Sequence, residues 1–276
     1  MMSKAQRPAY DSTFLYRSMF PAASDVDLAH LQLVESQISA AYRTYDKQLG
    51  SSADIVPIAG VSLGLVEALT RCFERLGNKK IEPSNVRQLL LDAVPVCPYC
   101  DFGESAELDH VLPRSVWPEF LIHLDNLVPI CGRCNKNKLN RNFRTSGWSY
   151  RHPYFESDLP AKFLFVETVI KGGNMRYEFK IKRPTGIDPS TFLAVEETFR
   201  TFRLDFRFGK RATYLLSDRA LRLRLLHSDM GAVGVSEYLL GEGDSIAHKR
   251  GVNYWEAVLF LDLAEDEKFC DFGSWS

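Results

Sequence analysis

The chain has 276 residues, of which 45% are hydrophobic and 25% charged, with a formal net charge of −1. This is the composition of an ordinary soluble globular protein, long enough for one large domain or two modest ones. No run of about 18 uncharged apolar residues occurs, which excludes a membrane span. The N-terminus also lacks the apolar stretch of a secretory signal, so we expect a cytoplasmic protein.

The N-terminal region, residues 1–95, is predicted to be helical after an aperiodic lead-in. Apolar residues at helical spacing predict a helix from Asp25 to about Gln48 and a second from about Val61 to Leu76. Ser84 is expected to cap a third helix. The residues of this third helix that we expect to pack inward are Leu89, Leu90, Leu91 and Val94.

The C-terminal region, residues 152–276, begins with a hairpin signal. The segments Phe163 to Ile170 and Met175 to Ile181 alternate or are β-branched, and Gly172-Gly173-Asn174 lies between them. Helical spacing then returns, and the last apolar segment, Tyr254 to Leu263, is predicted to be a helix. The region is therefore a hairpin followed by helices.

Four of the six cysteines form two Cys-x-x-Cys pairs separated by 30 residues, Cys97 with Cys100 and Cys131 with Cys134. In a reducing compartment such pairs indicate a metal site rather than disulfides. Four thiolates suit a closed tetrahedral zinc, which is structural because it keeps no open coordination position. The isolated Cys72 and Cys270 are expected to be small buried hydrophobic residues.

Polar residues between and after the cysteine pairs are of types that are common in catalytic sites. Asp109-His110 ends a short apolar strand, Asn126 precedes a second apolar strand, and Asn135 follows the last cysteine on a predicted helix. Each has an ordinary interpretation by itself: His110 could be a surface or capping residue, and Asn126 could cap a turn. The neighbouring Lys136 and Lys138 could form a solvated helix face. In this order, inside a zinc frame, they favour a catalytic centre.

Over residues 97–140 the chain resembles the HNH endonuclease superfamily, in its four-cysteine subgroup with the ββα-metal fold. In many members of that family the position of Asn135 is His. An Asn stands there in the HNH domains of RNA-guided CRISPR nucleases, so we expect an oxygen-preferring cation, Mg²⁺ or Mn²⁺. Together with the predicted helices and hairpin, the resemblance leads us to expect an α+β fold: a mostly helical body with one β-hairpin and an inserted zinc-stapled module at residues 96–151.

The resemblance implies a role for each polar residue of the module. His110 would be the general base that activates water, since a neutral imidazole suits that task near neutral pH. Asp109 and Asn135 would hold the catalytic cation, and Asn126 would brace the loop that aims His110. Hydrolysis of a phosphodiester needs such a base, charge neutralisation at the phosphate and help for the leaving oxygen.

A local basic patch accompanies the module. The segment from Asp109 to Arg151 has seven basic and three acidic residues, a net charge of +4. Its predicted phosphate contacts are Arg114, Lys136 and Lys138. We expect contact with the nucleic-acid backbone and little sequence readout. DNA is the expected substrate; RNA, and single or double strands, stay open.

The wider resemblance is to HNH proteins of bacterial antiphage defence systems. A nuclease of this kind would endanger its host, so we expect a restraining or delivering protein partner such as an ATPase or a sensor. Two alternatives come from other classes: a catalytically inactive zinc-ribbon protein that binds nucleic acid, and a zinc-braced scaffold subunit. The intact Asp109, His110 and Asn135 speak against an inactive site.

Overall fold

The computed structural model describes residues 4–81, 83–139, 141, 150–156, 159–171, 174–272 and 275. The chain divides into two compact units. One unit is Lys4–Glu156, and the other comprises the described residues from 159 onward. The N-terminal helices and the cysteine-rich segment therefore belong to one unit. The predicted domain boundaries at residues 95 and 151 stay predictions.

The first unit begins with helices α1 (Ser12–Ser18), α2 (Asp25–Leu33), α3 (Glu35–Lys47), α4 (Leu63–Glu74) and α5 (Val86–Ala93). The prediction of one helix from residue 25 to 48 is wrong, because Val34 leaves helical geometry (φ −112°, ψ 7°) and separates α2 from α3. The predicted cap at Ser84 is also wrong. Asn85, in a left-handed conformation with φ 53°, precedes α5. Leu89, expected to pack inward, is 42% exposed.

The cysteine-rich segment forms a β-β-α unit. Strands β1 (Glu107–His110) and β2 (Leu127–Ile130) are antiparallel, with Asp109 opposite Val128 and His110 opposite Leu127. Helix α6 (Gly132–Lys138) follows β2 directly. The predicted ββα order is thus confirmed, with a 16-residue loop, 111–126, between the strands.

This β-β-α unit shares its hydrophobic core with the N-terminal helices. Leu31, Ile38 and Leu69 of the helices form one buried cluster with Leu108 and Leu127 of the strands. Each such side chain contributes about 1.5–3 kcal/mol when it is fully buried. Trp117 of the intervening loop is buried in the same cluster and donates its indole N–H to the Ile55 carbonyl, 3.1 Å away. The loop between the two strands is therefore anchored in the same core as the N-terminal helices.

The second unit contains the predicted hairpin and helices. Strands β3 (Leu164–Lys171) and β4 (Asn174–Ile181) pair antiparallel, which confirms the hairpin; its predicted Gly172-Gly173 turn lies outside the described residues. The helices are α7 (Pro189–Thr201), α8 (Leu204–Ser217), α9 (Ala220–Arg250, interrupted at Gly231), α10 (Trp255–Ala264) and α11 (Glu267–Cys270). Within the part of the chain that is described, no helix is both long and apolar enough to cross a membrane.

Candidate active site and zinc centre

The two Cys-x-x-Cys pairs converge on one point. The four sulfur atoms lie within 4.8 Å of one another and all four residues are buried. Cys100 and Cys131, from different pairs, have their Sγ atoms 3.8 Å apart. A tetrahedral zinc with Zn–S bonds of about 2.3 Å separates its sulfur ligands by about 3.8 Å. The cluster therefore fits the structural zinc predicted from the spacing.

Local backbone geometry builds each half of this cluster. In the first half, Cys97 N donates to the Gly103 carbonyl at 2.7 Å, and a Cβ on Gly103 would lie only 2.8 Å from Cys131 Sγ. Only glycine lets the two halves approach this closely. In the second half, Cys131 caps α6 and its Sγ accepts from Cys134 N at 3.4 Å. The zinc site thereby fixes the start of the helix that carries Asn135.

His110 lies at the end of β1 with its ring held by the loop. Its Nε2 is 3.0 Å from the Leu121 carbonyl oxygen. A carbonyl only accepts, so the ring carries its proton on Nε2 and leaves the Nδ1 lone pair to accept a proton. Burial lowers the pKa of His110 to about 4, which keeps the imidazole neutral near pH 7. The ring also packs against Phe73 of α4, with centroids 4.9 Å apart.

Asn126 is fully buried and spans the loop between the strands. Its Oδ1 accepts from Leu112 N at 2.7 Å, and its Nδ2 donates to the carbonyls of Leu112 and Phe120 at 3.2 and 3.1 Å. Phe120 immediately precedes Leu121, whose carbonyl holds His110. Asn126 therefore supports the backbone next to the acceptor that orients the His110 ring.

Asp109 and Lys138 form a buried ion pair, which differs from the predicted role of Lys138. Lys138 is 0% exposed, its Nζ is 3.0 Å from Asp109 Oδ1, and it also donates to the His110 carbonyl at 2.8 Å. Burial raises the pKa of the Asp109 carboxyl, and the Lys138 charge opposes that shift. An ammonium in this position is not presented to a phosphate. The prediction that Lys138 contacts phosphate is therefore wrong.

Asn135 is held by a carboxylate that the sequence analysis did not assign. Its Nδ2 donates to Glu107 Oε2 at 2.6 Å. An ionised carboxylate only accepts, so the amide must turn its NH₂ group toward Glu107 and its Oδ1 away. This contact selects the amide oxygen of Asn135 as the atom available to a cation.

A cleft of about 560 Å³ is lined by five of the seven predicted site residues other than the cysteines. Asn126 and Lys138 are not part of its wall. Its lining includes two exposed cationic side chains, Arg114 and Lys136. Asn140, the predicted end of the module, and Arg144, counted in the basic patch, lie outside the described residues. The polar and aromatic residues of the wall include Phe73, Glu107, Asp109, His110, Arg114, Asn135 and Lys136.

The described residues contain one cluster of three or more His, Cys, Asp or Glu side chains able to hold a metal, the four cysteines. The cleft offers a different donor set: the carboxylates of Glu107 and Asp109 and the amide of Asn135. Oxygen donors of this kind fit Mg²⁺ or Mn²⁺, which keep several water or phosphate ligands. Asp109 would have to share its carboxylate between the cation and the Lys138 ammonium, which lies 3.0 Å from both of its oxygens.

The comparisons with known proteins agree with this site. Residues 97–141 match the family model for HNH endonuclease. Together with the four-cysteine cluster, the match assigns this segment to the HNH class. The chain is also similar to "Protein ea31" of Escherichia phage lambda, with 23% identity over 215 residues that cover 73% of each chain. No solved structure matches significantly.

Two cleft residues that contact the predicted site residues, Glu107 and Phe73, were not predicted from the sequence. Strand alternation places Glu107 on the same face of β1 as Asp109, so an i, i+2 argument was sufficient to find it. Phe73 comes from α4, outside the family match, and no motif connects it with His110. Its contact follows from the packing of the helices onto the β-β-α unit.

Proposed function

We propose that this chain is a metal-dependent endonuclease that hydrolyses DNA phosphodiester bonds, with His110 as general base. One observation carries the proposal: the ring of His110 lies in the wall of the cleft with Nε2 committed to the Leu121 carbonyl. Its Nδ1 is then the atom that takes a proton from the attacking water. The neutral state of the ring near pH 7 suits this role.

The proposed cation ligands are Asp109 and Asn135, as the resemblance implies, with Mg²⁺ or Mn²⁺ as the ion. When bound, the cation supplies charge neutralisation at the scissile phosphate and at the leaving oxygen. Glu107 is proposed as a supporting residue: it binds the NH₂ group of Asn135 and so turns Asn135 Oδ1 toward the cation position. Asn126 keeps the loop in shape, and Lys138 holds Asp109 in place.

The proposed phosphate contacts are Arg114 and Lys136, which are exposed and line the cleft. Both are cations on flexible stems that suit backbone contact rather than base readout. DNA in preference to RNA is part of the proposal. Cleavage of a single-stranded RNA but not of DNA would reassign the substrate.

The test is cleavage of plasmid DNA with Mg²⁺ or Mn²⁺, compared between wild type, His110→Ala and His248→Ala. His248 is an exposed histidine of the second unit and serves as the matched control. We expect cleavage by wild type and His248→Ala, loss of at least about 100-fold with His110→Ala, and loss of all cleavage with EDTA. Equal cleavage by wild type and His110→Ala would contradict the choice of base.

The alternative is a catalytically inactive zinc protein that binds nucleic acid or serves as a scaffold. This alternative predicts that the wild-type protein does not cleave plasmid DNA with any divalent metal, either alone or with its partner protein. A role in antiphage defence beside an ATPase or sensor is a further proposal that depends on the resemblance alone. The lambda relative is itself a phage protein and adds nothing to that role. A cytoplasmic location likewise stays a prediction.

A further inference from the structure

Two buried side chains from outside the family match lie at the end of the loop 111–126, which follows His110. Tyr45 belongs to α3, and His152 follows the matched segment; they are 0% and 5% exposed. The Tyr45 hydroxyl oxygen lies 3.0 Å from His152 Nε2, 3.2 Å from the Asp125 carbonyl and 3.3 Å from Asn126 Oδ1. Three polar groups from two other parts of the chain therefore meet at one hydroxyl.

The hydrogen bonds of this group have one consistent direction. The backbone N–H of Tyr154 donates to His152 Nδ1 at 3.2 Å, so the neutral ring carries its proton on Nε2. That Nε2–H donates to the Tyr45 oxygen and is shared with the Asp125 carbonyl. Tyr45 then has one proton left to donate, toward the Asp125 carbonyl and Asn126 Oδ1. Every donor in the series faces an acceptor.

The direction of this series agrees with the orientation that the backbone contacts of Asn126 require, and adds a third donor group that faces Oδ1 or its neighbouring carbonyl. A hydroxyl that donates toward Asn126 selects Oδ1 for that side and leaves Nδ2 to donate to the carbonyls of Leu112 and Phe120. Reversal of the amide would place an NH₂ group against both the hydroxyl proton and the Leu112 N–H. Buried donors that face each other cost the full desolvation of each group.

Gly50 leaves the space in which the side chains of Tyr45 and His152 meet. Gly50 follows α3 with φ 71°, a conformation that favours glycine. A Cβ at this position would lie 2.8 Å from the Tyr45 oxygen and 2.7 Å from His152 Cδ2. The glycine makes room for the contact between the two rings, so a larger side chain here would push them apart.

We propose that Tyr45 and His152 are positioning residues for His110. They hold loop 111–126 in the arrangement in which the Leu121 carbonyl receives the His110 Nε2–H, and they act through Asn126. The kinetic part of this inference depends on the proposed nuclease function. Its structural part does not, because the hydrogen bond of His110 is measurable without substrate.

The structural test observes the His110 ring N–H proton by NMR, assigned through its loss in His110→Ala. The variant is Tyr45→Phe, which removes one hydroxyl. The matched control is Tyr42→Phe on the same helix, because the buried Tyr42 hydroxyl makes no hydrogen bond to any described residue. We expect the signal to shift or broaden in Tyr45→Phe and to stay in place in Tyr42→Phe. An unchanged signal in Tyr45→Phe overturns the proposal even if wild type does not cut DNA.

The kinetic test compares His152→Leu with His152→Gln, since a glutamine amide can replace the Nε2–H donor. We expect Tyr45→Phe and His152→Leu to lower kcat by about tenfold or more with KM within about twofold, because misplaced groups slow the chemical step. His152→Gln is expected to recover most of that loss. A normal kcat per folded molecule in all three variants overturns the proposal.

Discussion

The ammonium nitrogen of Lys138 lies 3.0 Å from each carboxylate oxygen of Asp109, in a position that solvent does not reach. Lys138 also donates to the backbone carbonyl of His110, so one cation holds both residues of the Asp-His step. Charges buried in this way are stable only as a pair. The lysine therefore helps to form the site rather than to bind the substrate.

Replacement of Lys138 by Met is expected to lower the free energy of unfolding by about 3–5 kcal/mol, because it leaves the Asp109 carboxylate buried without a counter-charge. Urea unfolding in the presence of zinc measures the change. Lys136→Met, two positions earlier and exposed, is the control and is expected to change stability by less than about 0.5 kcal/mol. Equal midpoints for the two variants would contradict the buried pair.

Local spacing predicted much of this site, and long-range packing determined the rest. Cysteine spacing and the order of strands and helix are local properties, and they predicted the zinc cluster and the ββα unit. The error at Lys138 was avoidable: Asn135 and Lys138 are three residues apart, so they share a face of α6 and both point toward β1. By contrast, Tyr45 and His152 are 107 residues apart, and no sequence period links them.

Zinc binding is expected to depend on each of the four clustered cysteines and not on the isolated ones. Cys97→Ser or Cys131→Ser should lose nearly all bound zinc and the cooperative thermal transition of the first unit, since zinc binding is largely folding free energy here. Elemental analysis and calorimetry measure both. Cys72→Ser alters a buried cysteine of α4 and should keep its zinc despite some loss of stability. Retention of zinc by Cys97→Ser would refute the four-cysteine site.

Removal of the Glu107 carboxylate is expected to weaken the catalytic cation. In Glu107→Ala the amide of Asn135 is free to turn, so its Oδ1 no longer faces the cation position. Loss of such a supporting group typically costs about 10- to 100-fold in metal affinity. The measurement is the Mn²⁺ concentration that gives half-maximal cleavage. Glu104→Ala, an exposed residue of the same segment, is the control and should leave that concentration unchanged.

The stability of the first unit is expected to fall as the pH is lowered from 7 to 5.5, in part through His152. Burial lowers the pKa of His152 to about 3, and the nearby charges of Arg7 and Lys138 lower it further, while its bond to the Asp125 carbonyl opposes the shift. The unfolded chain, with a histidine pKa near 6.5, then binds more protons than the folded chain between about pH 3 and 6.5.

This difference in proton binding costs on the order of 1 kcal/mol at pH 5.5 for one such histidine, a cost that is nearly absent at pH 7. Denaturant unfolding at both pH values, with the same zinc concentration throughout, measures the effect. His152→Gln should lose less stability than wild type over this interval, because it has no ring to protonate in the unfolded chain. His248→Gln, an exposed control, should follow wild type. If His152→Gln and wild type have the same pH dependence, the folded chain does not hold His152 neutral, and the assigned direction of its hydrogen bonds fails with it.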